Sequence, residues 1–255
     1  MIQAGRFDGK VALVTGAGSG MGRAITQRLA AEGASVFAVD IAEERLERTQ
    51  RRAAEEGAAG NIEIRRLDLA DPDACVEAVA GCVERFGRLD VLGNVAGIYF
   101  AEHTPKVTRE QYRRLMAVNL DAYFFLAQEA IPHLLETSGN IVNIASNSGL
   151  MGVAYSAAYC MSKGGVVQLT RSLAVEYIKQ PLRVNAIAPA GTNTNLAVGV
   201  TFPPDMDVDL ATRMGGWRGM TEPDEVAALF AFVASDEARS VTGAVYTMDH
   251  GLTAS

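Results

Sequence analysis

The chain has little of what staples or metallates a small fold. Only three cysteines and three histidines occur among its 255 residues. Cys75 and Cys82 stand two helical turns apart, about 10 Å of rise, which is too far for a disulfide. Free thiols and a cytoplasmic location are therefore expected. His103, His133 and His250 are scattered, and no Cys or His pair has ligand spacing, so no metal is expected. Long apolar runs are missing too. The longest, at 226–234, falls far short of the roughly 18 residues of a spanning helix. The opening segment M-I-Q-A-G-R-F-D-G-K lacks the apolar core of a secretory signal. A basic excess is also absent: 23 Lys and Arg against 30 Asp and Glu give a formal charge of -7. That balance argues against a nucleic-acid partner, because phosphate binding needs a basic surface. What remains is 49% hydrophobic and 21% charged, with 25 glycines. Such a chain is too apolar to be disordered and long enough to bury a core unaided. One globular domain over 1–255 is expected.

Apolar runs alternate with helical patterns along the whole chain. Strands are expected at 11–15, 35–39, 62–67, 89–95, 140–145, 183–188 and 244–248. Helices are expected at 22–32, 43–56, 72–86, 108–136, 157–178 and 223–234, with Pro132 kinking or breaking the fourth. Continuous apolar strands separated by helices imply an α/β fold: a Rossmann-like, doubly wound parallel sheet of about seven strands with helices on both faces. Segment 192–220 holds Pro203, Pro204 and Trp217 without clear periodicity and is expected to be a substrate loop or lid.

Residues 15–22 read T-G-A-G-S-G-M-G between the first strand and the first helix. Glycines at 16, 20 and 22 let backbone approach a pyrophosphate, and the helix N-terminus offers free N–H groups to it. Asp40 closes the second strand. A carboxylate there accepts hydrogen bonds from the adenosine ribose and repels a 2′-phosphate. Ile41, not an arginine, follows it, so NAD is expected over NADP.

Tyr159 and Lys163 lie four apart on a helix and share a face. A nearby ammonium favours phenolate over phenol, so this pair can build a general acid/base. Ser146 ends the fifth strand in I-V-N-I-A-S-N-S-G, where α/β sheets carry their chemistry. Ser148, two residues on, would point to the same side of an extended stretch and competes for that role.

These residues together resemble the short-chain dehydrogenase/reductase family over essentially the whole chain. T-G-A-G-S-G-M-G is similar to its T-G-x-x-x-G-x-G turn, and N-V-A-G at 94–97 to its N-N-A-G, with Val95 in place of the second Asn. Tyr159 and Lys163 match Y-x-x-x-K. Ser146 stands 13 residues before Tyr159, as the family's catalytic serine does, which favours it over Ser148. P-A-G-T-N-T at 189–194 resembles P-G-x-x-x-T, with Ala190 for the glycine. V-Y-T-M-D-H-G-L resembles the last strand and its D-G-G, with His250 for the first glycine.

The resemblance implies a catalytic set of Asn119, Ser146, Tyr159 and Lys163. It implies cofactor contacts from Gly16, Ser19, Gly20, Met21 and Gly22 in the turn, and from Asp40 and Ile41 after the second strand. Asp68 and Leu69 after the third strand, and Asn94, Ala96 and Gly97 after the fourth, complete the adenosine side. Tyr159, Lys163, Pro189, Gly191, Thr192 and Thr194 would hold the nicotinamide side. The implied reaction moves hydride between NAD and a secondary alcohol. Tyr159 takes the hydroxyl proton, Ser146 holds the substrate oxygen, Lys163 lowers the tyrosine pKa, and Asn119 relays the proton.

Ile98, Tyr99, Leu150, Met151, Val153, Tyr155 and Leu196 suggest an apolar substrate, such as a hydroxysteroid or cyclic alcohol, with contacts from Ser148, Tyr155 and Leu196. Reduction of a 3-oxoacyl chain on a carrier protein is the rival reading, and a non-catalytic NAD sensor is a third. A homotetramer is implied by the family. Phe124, Phe125 and Leu126, with Val166, Val167 and Leu169, make two helices apolar beyond one stripe, which fits either intrachain burial or a subunit contact.

Overall fold

The computed structural model describes residues 2–194, 196, 202–211 and 218–254. Trp217 and much of the expected loop at 192–220 lie outside the described residues. Among the described residues, seven strands form one parallel sheet in the order β3-β2-β1-β4-β5-β6-β7. The strands are β1 (Val11–Thr15), β2 (Ser35–Asp40), β3 (Ile62–Arg66), β4 (Val91–Asn94), β5 (Asn140–Ile144), β6 (Arg183–Pro189) and β7 (Val245–Met248). The helices are α1 (Gly20–Ala31), α2 (Glu43–Glu55), α3 (Pro72–Phe86), α4 (Arg109–Met116), α5 (Ala122–Thr137), α6 (Ala157–Glu176), α7 (Val208–Ala211) and α8 (Pro223–Ala234).

Two apolar layers sandwich this sheet. Ile25 and Leu29 of α1, Leu46 of α2 and Phe230 of α8 fill one face. Val79 of α3, Leu126 and Leu134 of α5, and Leu173 of α6 fill the other. β1, β4 and β5 are buried along their full length, so their apolar residues fall on both faces rather than alternating with polar ones. Each buried Val or Leu side chain contributes about 1.5–3 kcal/mol. The strand order reverses between β1 and β4, and in such sheets the ligand crevice opens at the carboxyl ends beside that reversal.

Helix ends follow local chemistry. Asp71 caps α3 through Asp73 N–H, with Pro72 at its first position, and Gly87 ends the helix at φ 77°. Thr108 and Gln111 form a reciprocal capping box on α4.

The helical region at 108–136 is interrupted, but not at Pro132. A π-helical turn at Ala117–Asp121 separates α4 from α5, and α5 runs through Pro132 to Thr137. A π turn inserts one extra residue and turns a side chain out of the regular helix register. Here it carries Asn119.

Candidate active site

Backbone geometry explains the glycines after β1. Gly16 has φ 66°, and a Cβ on it would lie 2.9 Å from Ala96 Cα beyond β4. A Cβ on Gly22 would run into the carbonyl oxygen of Gly16, so the turn folds only around a bare α-carbon there. Thr15 fastens the two loops: its hydroxyl accepts the N–H groups of Val95 and Ala96, at 2.9 and 3.1 Å. Ser19 is the N-cap of α1, yet its side chain makes no capping bond, and the first turn holds no acid. The leading N–H groups of α1 and its positive dipole end are thus open to an anion.

Asp40 lies at the end of β2 beside this turn. Its carboxylate accepts Gly18 N–H at 3.0 Å and Ala42 N–H at 2.9 Å. Ile41 is exposed next to it. Arg23 bonds Gly18 O and Thr49 Oγ1, and burial together with the charges of Arg52, Arg48 and Arg45 lowers its pKa. Arg23 thus brings to the turn a positive charge that Arg45, Arg48 and Arg52 reinforce. Such charge attracts the pyrophosphate and would attract a 2′-phosphate more strongly still, while the Asp40 carboxylate opposes the latter.

Other expected contacts are distributed unevenly. Asp68 sits at the surface, accepting Ala70 N–H and bonding Arg114 Nη1 at 2.9 Å, with Leu69 buried behind it. Asn94 is fully buried, and its Nδ2 donates to Asn143 Oδ1 at 2.9 Å. Its side chain therefore rivets β4 to β5 instead of facing the crevice. Thr194 covers the first residue of α1, because a Cβ on Gly20 would lie 3.0 Å from Thr194 Cβ. Thr192 bridges Thr221, and its hydroxyl donates to Ala190 O at 3.1 Å. Ala190 is not among the described residues with a positive φ. The turn after Pro189 therefore accepts alanine without strain.

The catalytic candidates converge under the ends of β4 and β5. Asn119 Oδ1 accepts Ile98 N–H at 2.8 Å, and its Nδ2 donates to Ile98 O at 2.9 Å, which clips the π turn to the loop after β4. A Cβ on Gly97 would sit 3.5 Å from Asn119 Oδ1 and 3.7 Å from Lys163 Nζ. The Ser146 hydroxyl stands beside the Tyr159 phenol and favours its ionised form, while donating to Asn147 Oδ1 at 3.1 Å. Lys163 Nζ donates to Ile144 O at 2.8 Å and to Tyr123 Oη at 3.4 Å, and lies 6.0 Å from the centre of the Tyr159 ring.

Burial dominates the charges here. It pushes the Tyr159 phenol up to about 12, against the opposing pull of the neighbouring Ser146 hydroxyl. It pulls Lys163 down to about 7. In the cofactor-free protein, burial thus sets the direction of the Tyr159 shift. The same dry pocket that raises the phenol strips charge from the ammonium, and a partly neutral amine at this range offsets little.

Ser146 and Ser148 do not share a face of an extended strand, because Asn147–Gly149 forms a 3₁₀ turn. Ser148 N–H donates to Ser146 Oγ at 3.1 Å, while the Ser148 hydroxyl turns to Asn147 Oδ1 at 3.5 Å. Tyr99 stands edge-on to Tyr159 with ring centres 5.0 Å apart, and its hydroxyl meets Ser156 Oγ at 3.0 Å. Tyr155, at φ 61°, packs against His103 and accepts Asp207 N–H at its hydroxyl. Leu196 is partly exposed beyond Thr194. Tyr123 escapes a reading of the sequence: amid the apolar run Y-F-F-L it looks like core. Yet its hydroxyl reaches Ala96 O at 3.0 Å and Ile144 O at 3.2 Å, joining both strand ends to Lys163.

The residues present fit a dinucleotide: a glycine cradle, an uncapped helix N-terminus and a carboxylate at the end of β2, with a buried tyrosine and lysine deeper in. They define an oxidoreductase whose cofactor is a nicotinamide dinucleotide. The chain belongs to the short-chain dehydrogenase/reductase family. A family model described as enoyl-(acyl carrier protein) reductase matches residues 16–253. A meso-2,3-butanediol dehydrogenase of Serratia marcescens is 39% identical over 98% of this chain and 97% of its own. A 3-oxoacyl-[acyl-carrier-protein] reductase of Thermotoga maritima is 36% identical over 97% of this chain and 99% of its own. The crystal structure of a short chain dehydrogenase from Mycobacterium paratuberculosis bound to NAD superposes with a TM-score of 0.90 at 30% identity, covering 98% of this chain and 100% of that one. The chain is accordingly an oxidoreductase acting on a secondary alcohol or its ketone. No helix among the described residues is long and apolar enough to cross a membrane.

Proposed function

We propose that the chain uses NAD in preference to NADP and acts on an apolar secondary alcohol or ketone, with Tyr159 as general acid/base. The observation that carries this reading is the burial of Ser146, Tyr159 and Lys163 together beneath the strand ends, with Tyr99 edge-on to Tyr159. When bound, the dinucleotide accepts or supplies hydride at its nicotinamide ring. Tyr159 moves the proton of the substrate hydroxyl, Ser146 Oγ holds the substrate oxygen, and Lys163 favours the phenolate when charged. Asn119, clipped to Ile98, holds the π turn in place beneath them. Asp40 receives the adenosine ribose; its carboxylate already stands against Gly18, the middle of the phosphate turn. Tyr99 and the partly exposed Leu150 give the substrate side an apolar wall.

The chain acts as one dinucleotide-binding domain, with 192–220 bordering the substrate. A cytoplasmic setting is supported by the unpaired Cys75, Cys82 and Cys160. A homotetramer is supported by apolar side chains left exposed on α5 and α6, among them Phe124, Met161 and Val175, whereas Leu126, Val166 and Val167 are buried within the chain.

The test is a titration with NAD and NADP, followed by a screen of secondary alcohols for cofactor reduction. Tyr159→Phe should lower kcat by about 10³-fold, the usual scale of lost acid/base catalysis, and leave NAD affinity unchanged. Asp40→Ala should weaken NAD about 10- to 100-fold through loss of two charge-assisted bonds. Tighter binding of NADP than NAD by the unaltered protein would defeat the cofactor assignment. The similarity to a 3-oxoacyl-[acyl-carrier-protein] reductase favours a second reading, and turnover of a 3-oxoacyl thioester with NADPH, but of no alcohol with NAD, would establish it.

A further inference from the structure

Asn147 follows the catalytic serine candidate and is itself buried, at 4% exposure. Its Oδ1 lies 3.1 Å from Ser146 Oγ and 3.5 Å from Ser148 Oγ. Its Nδ2 is buried with no hydrogen-bond partner. The two ends of a carboxamide have the same shape, so a half-turn about its last torsion exchanges them within one cavity. The two orientations differ in where the proton of Ser146 goes.

With oxygen toward Ser146, the serine gives its single proton to Asn147 and has none for Tyr159. That orientation also leaves a buried N–H without an acceptor, the rarer kind of orphan in folded proteins. With nitrogen toward Ser146, the orphan is a carbonyl oxygen. Ser146 Oγ then receives two donors, Asn147 Nδ2 and Ser148 N–H, the latter at 3.1 Å. Both acceptor sites of the hydroxyl are filled, and its proton has only the phenol oxygen, or a substrate oxygen beside it, left to meet. A hydrogen bond to an ionised phenolate is stronger than one to a neutral carboxamide, so ionisation of Tyr159 itself favours this second orientation.

We propose that Asn147 is a positioning residue that donates its carboxamide N–H to Ser146 and thereby aims the Ser146 proton at Tyr159. The inference rests on Tyr159 as the acid/base. It gives the serine a fixed polarity: donor to the reacting oxygen, acceptor from the turn beneath it. Asn147 touches neither substrate nor cofactor in this scheme and acts only through Ser146.

The experiment is a double-mutant cycle on the full chain with NAD and the best alcohol from the screen. Asn147→Leu keeps the branched shape and removes the donor. It should lower kcat about 10-fold and move the acid limb of the kcat–pH profile for oxidation upward, with NAD affinity unchanged. In a Ser146→Ala background, Asn147→Leu should add nothing, because its route to the chemistry is gone. Asn147→Asp is a second variant of nearly the same shape. Its carboxylate accepts only and captures the serine proton, so kcat should fall about 100-fold, the scale of a lost oxyanion donor. Additive losses in the cycle, an unshifted pH profile, or loss of NAD affinity in step with kcat would overturn the proposal and leave Asn147 a packing residue. If Tyr159→Phe retains activity, the acid/base assignment fails and this inference with it. If Tyr159→Phe is inactive and the cycle is additive, only this inference fails.

Discussion

Replacing Lys163 with methionine should make the folded protein's stability less dependent on pH, and the sign and size follow from its surroundings. Lys163 is buried to 3% exposure, with a carbonyl oxygen and a phenol as hydrogen-bond partners and no carboxylate among them. Burial lowers its pKa from 10.5 to about 7. The unfolded chain therefore holds more protons than the folded one between about pH 7 and 10.5. Stability rises with pH through that window, the penalty being complete below it and gone above it. At about 1.4 kcal/mol per pKa unit, the penalty is about 5 kcal/mol at pH 6 and about 2 kcal/mol at pH 9. Wild type should gain about 3 kcal/mol on the Lys163→Met variant over that interval.

The assay is urea unfolding of both cofactor-free proteins at the two pH values, with ΔG compared only at unchanged slope. Taking the difference between proteins cancels the groups they share. These include Cys75 and Cys82, whose thiols burial pushes up to about 12 and which act the opposite way above pH 9. A gap that stays constant with pH would refute the claim that Lys163 is held desolvated and without a counter-charge. A gap that changes in the opposite direction would mean an acid neutralises it.

Further tests address the backbone. Gly22→Ala should abolish dinucleotide binding or folding, because its Cβ meets the Gly16 carbonyl, whereas Gly152→Ala, with nothing within 4 Å, should change stability by less than about 0.5 kcal/mol. Ser138 ends α5 in the left-handed region at φ 54°, so Ser138→Gly should stabilise by about 1 kcal/mol in denaturant melts. His250 is similarly strained at φ 52°, but its Nε2 lies 3.3 Å from Thr221 Oγ1. His250→Gly should therefore gain less than Ser138→Gly. An equal or larger gain would show that the Thr221 contact contributes nothing.

Pattern alone determines much of this molecule. Segments such as Val11–Thr15 and Asn140–Ile144, with consecutive apolar residues and no polar alternation, become central parallel strands, since a strand covered on both faces has no solvent side. Glycine spacing after β1 marks the turn, because only a bare α-carbon tolerates the Gly16 carbonyl against residue 22. The i, i+4 spacing of Tyr159 and Lys163 puts them on one face of α6 whatever packs around it.

Other properties depend on chain segments far apart in sequence. Pro132 looked like the place where the fourth helix would yield, yet tertiary packing holds α5 through it. The irregularity falls instead at 117–121, where Asn119 clips onto Ile98. Tyr123 has the local look of core, and only the meeting of β4, β5 and α6 makes its hydroxyl a brace for Lys163. The charge states in the pocket were not legible either. Adjacency on a helix predicts that Lys163 lowers Tyr159, but desolvation depends on how completely the surrounding elements close over both groups, and here it is the largest cause acting on each. Sequence specifies which groups are present and their local spacing. Only the folded interior sets how much water each one retains, and with it which proton each one holds.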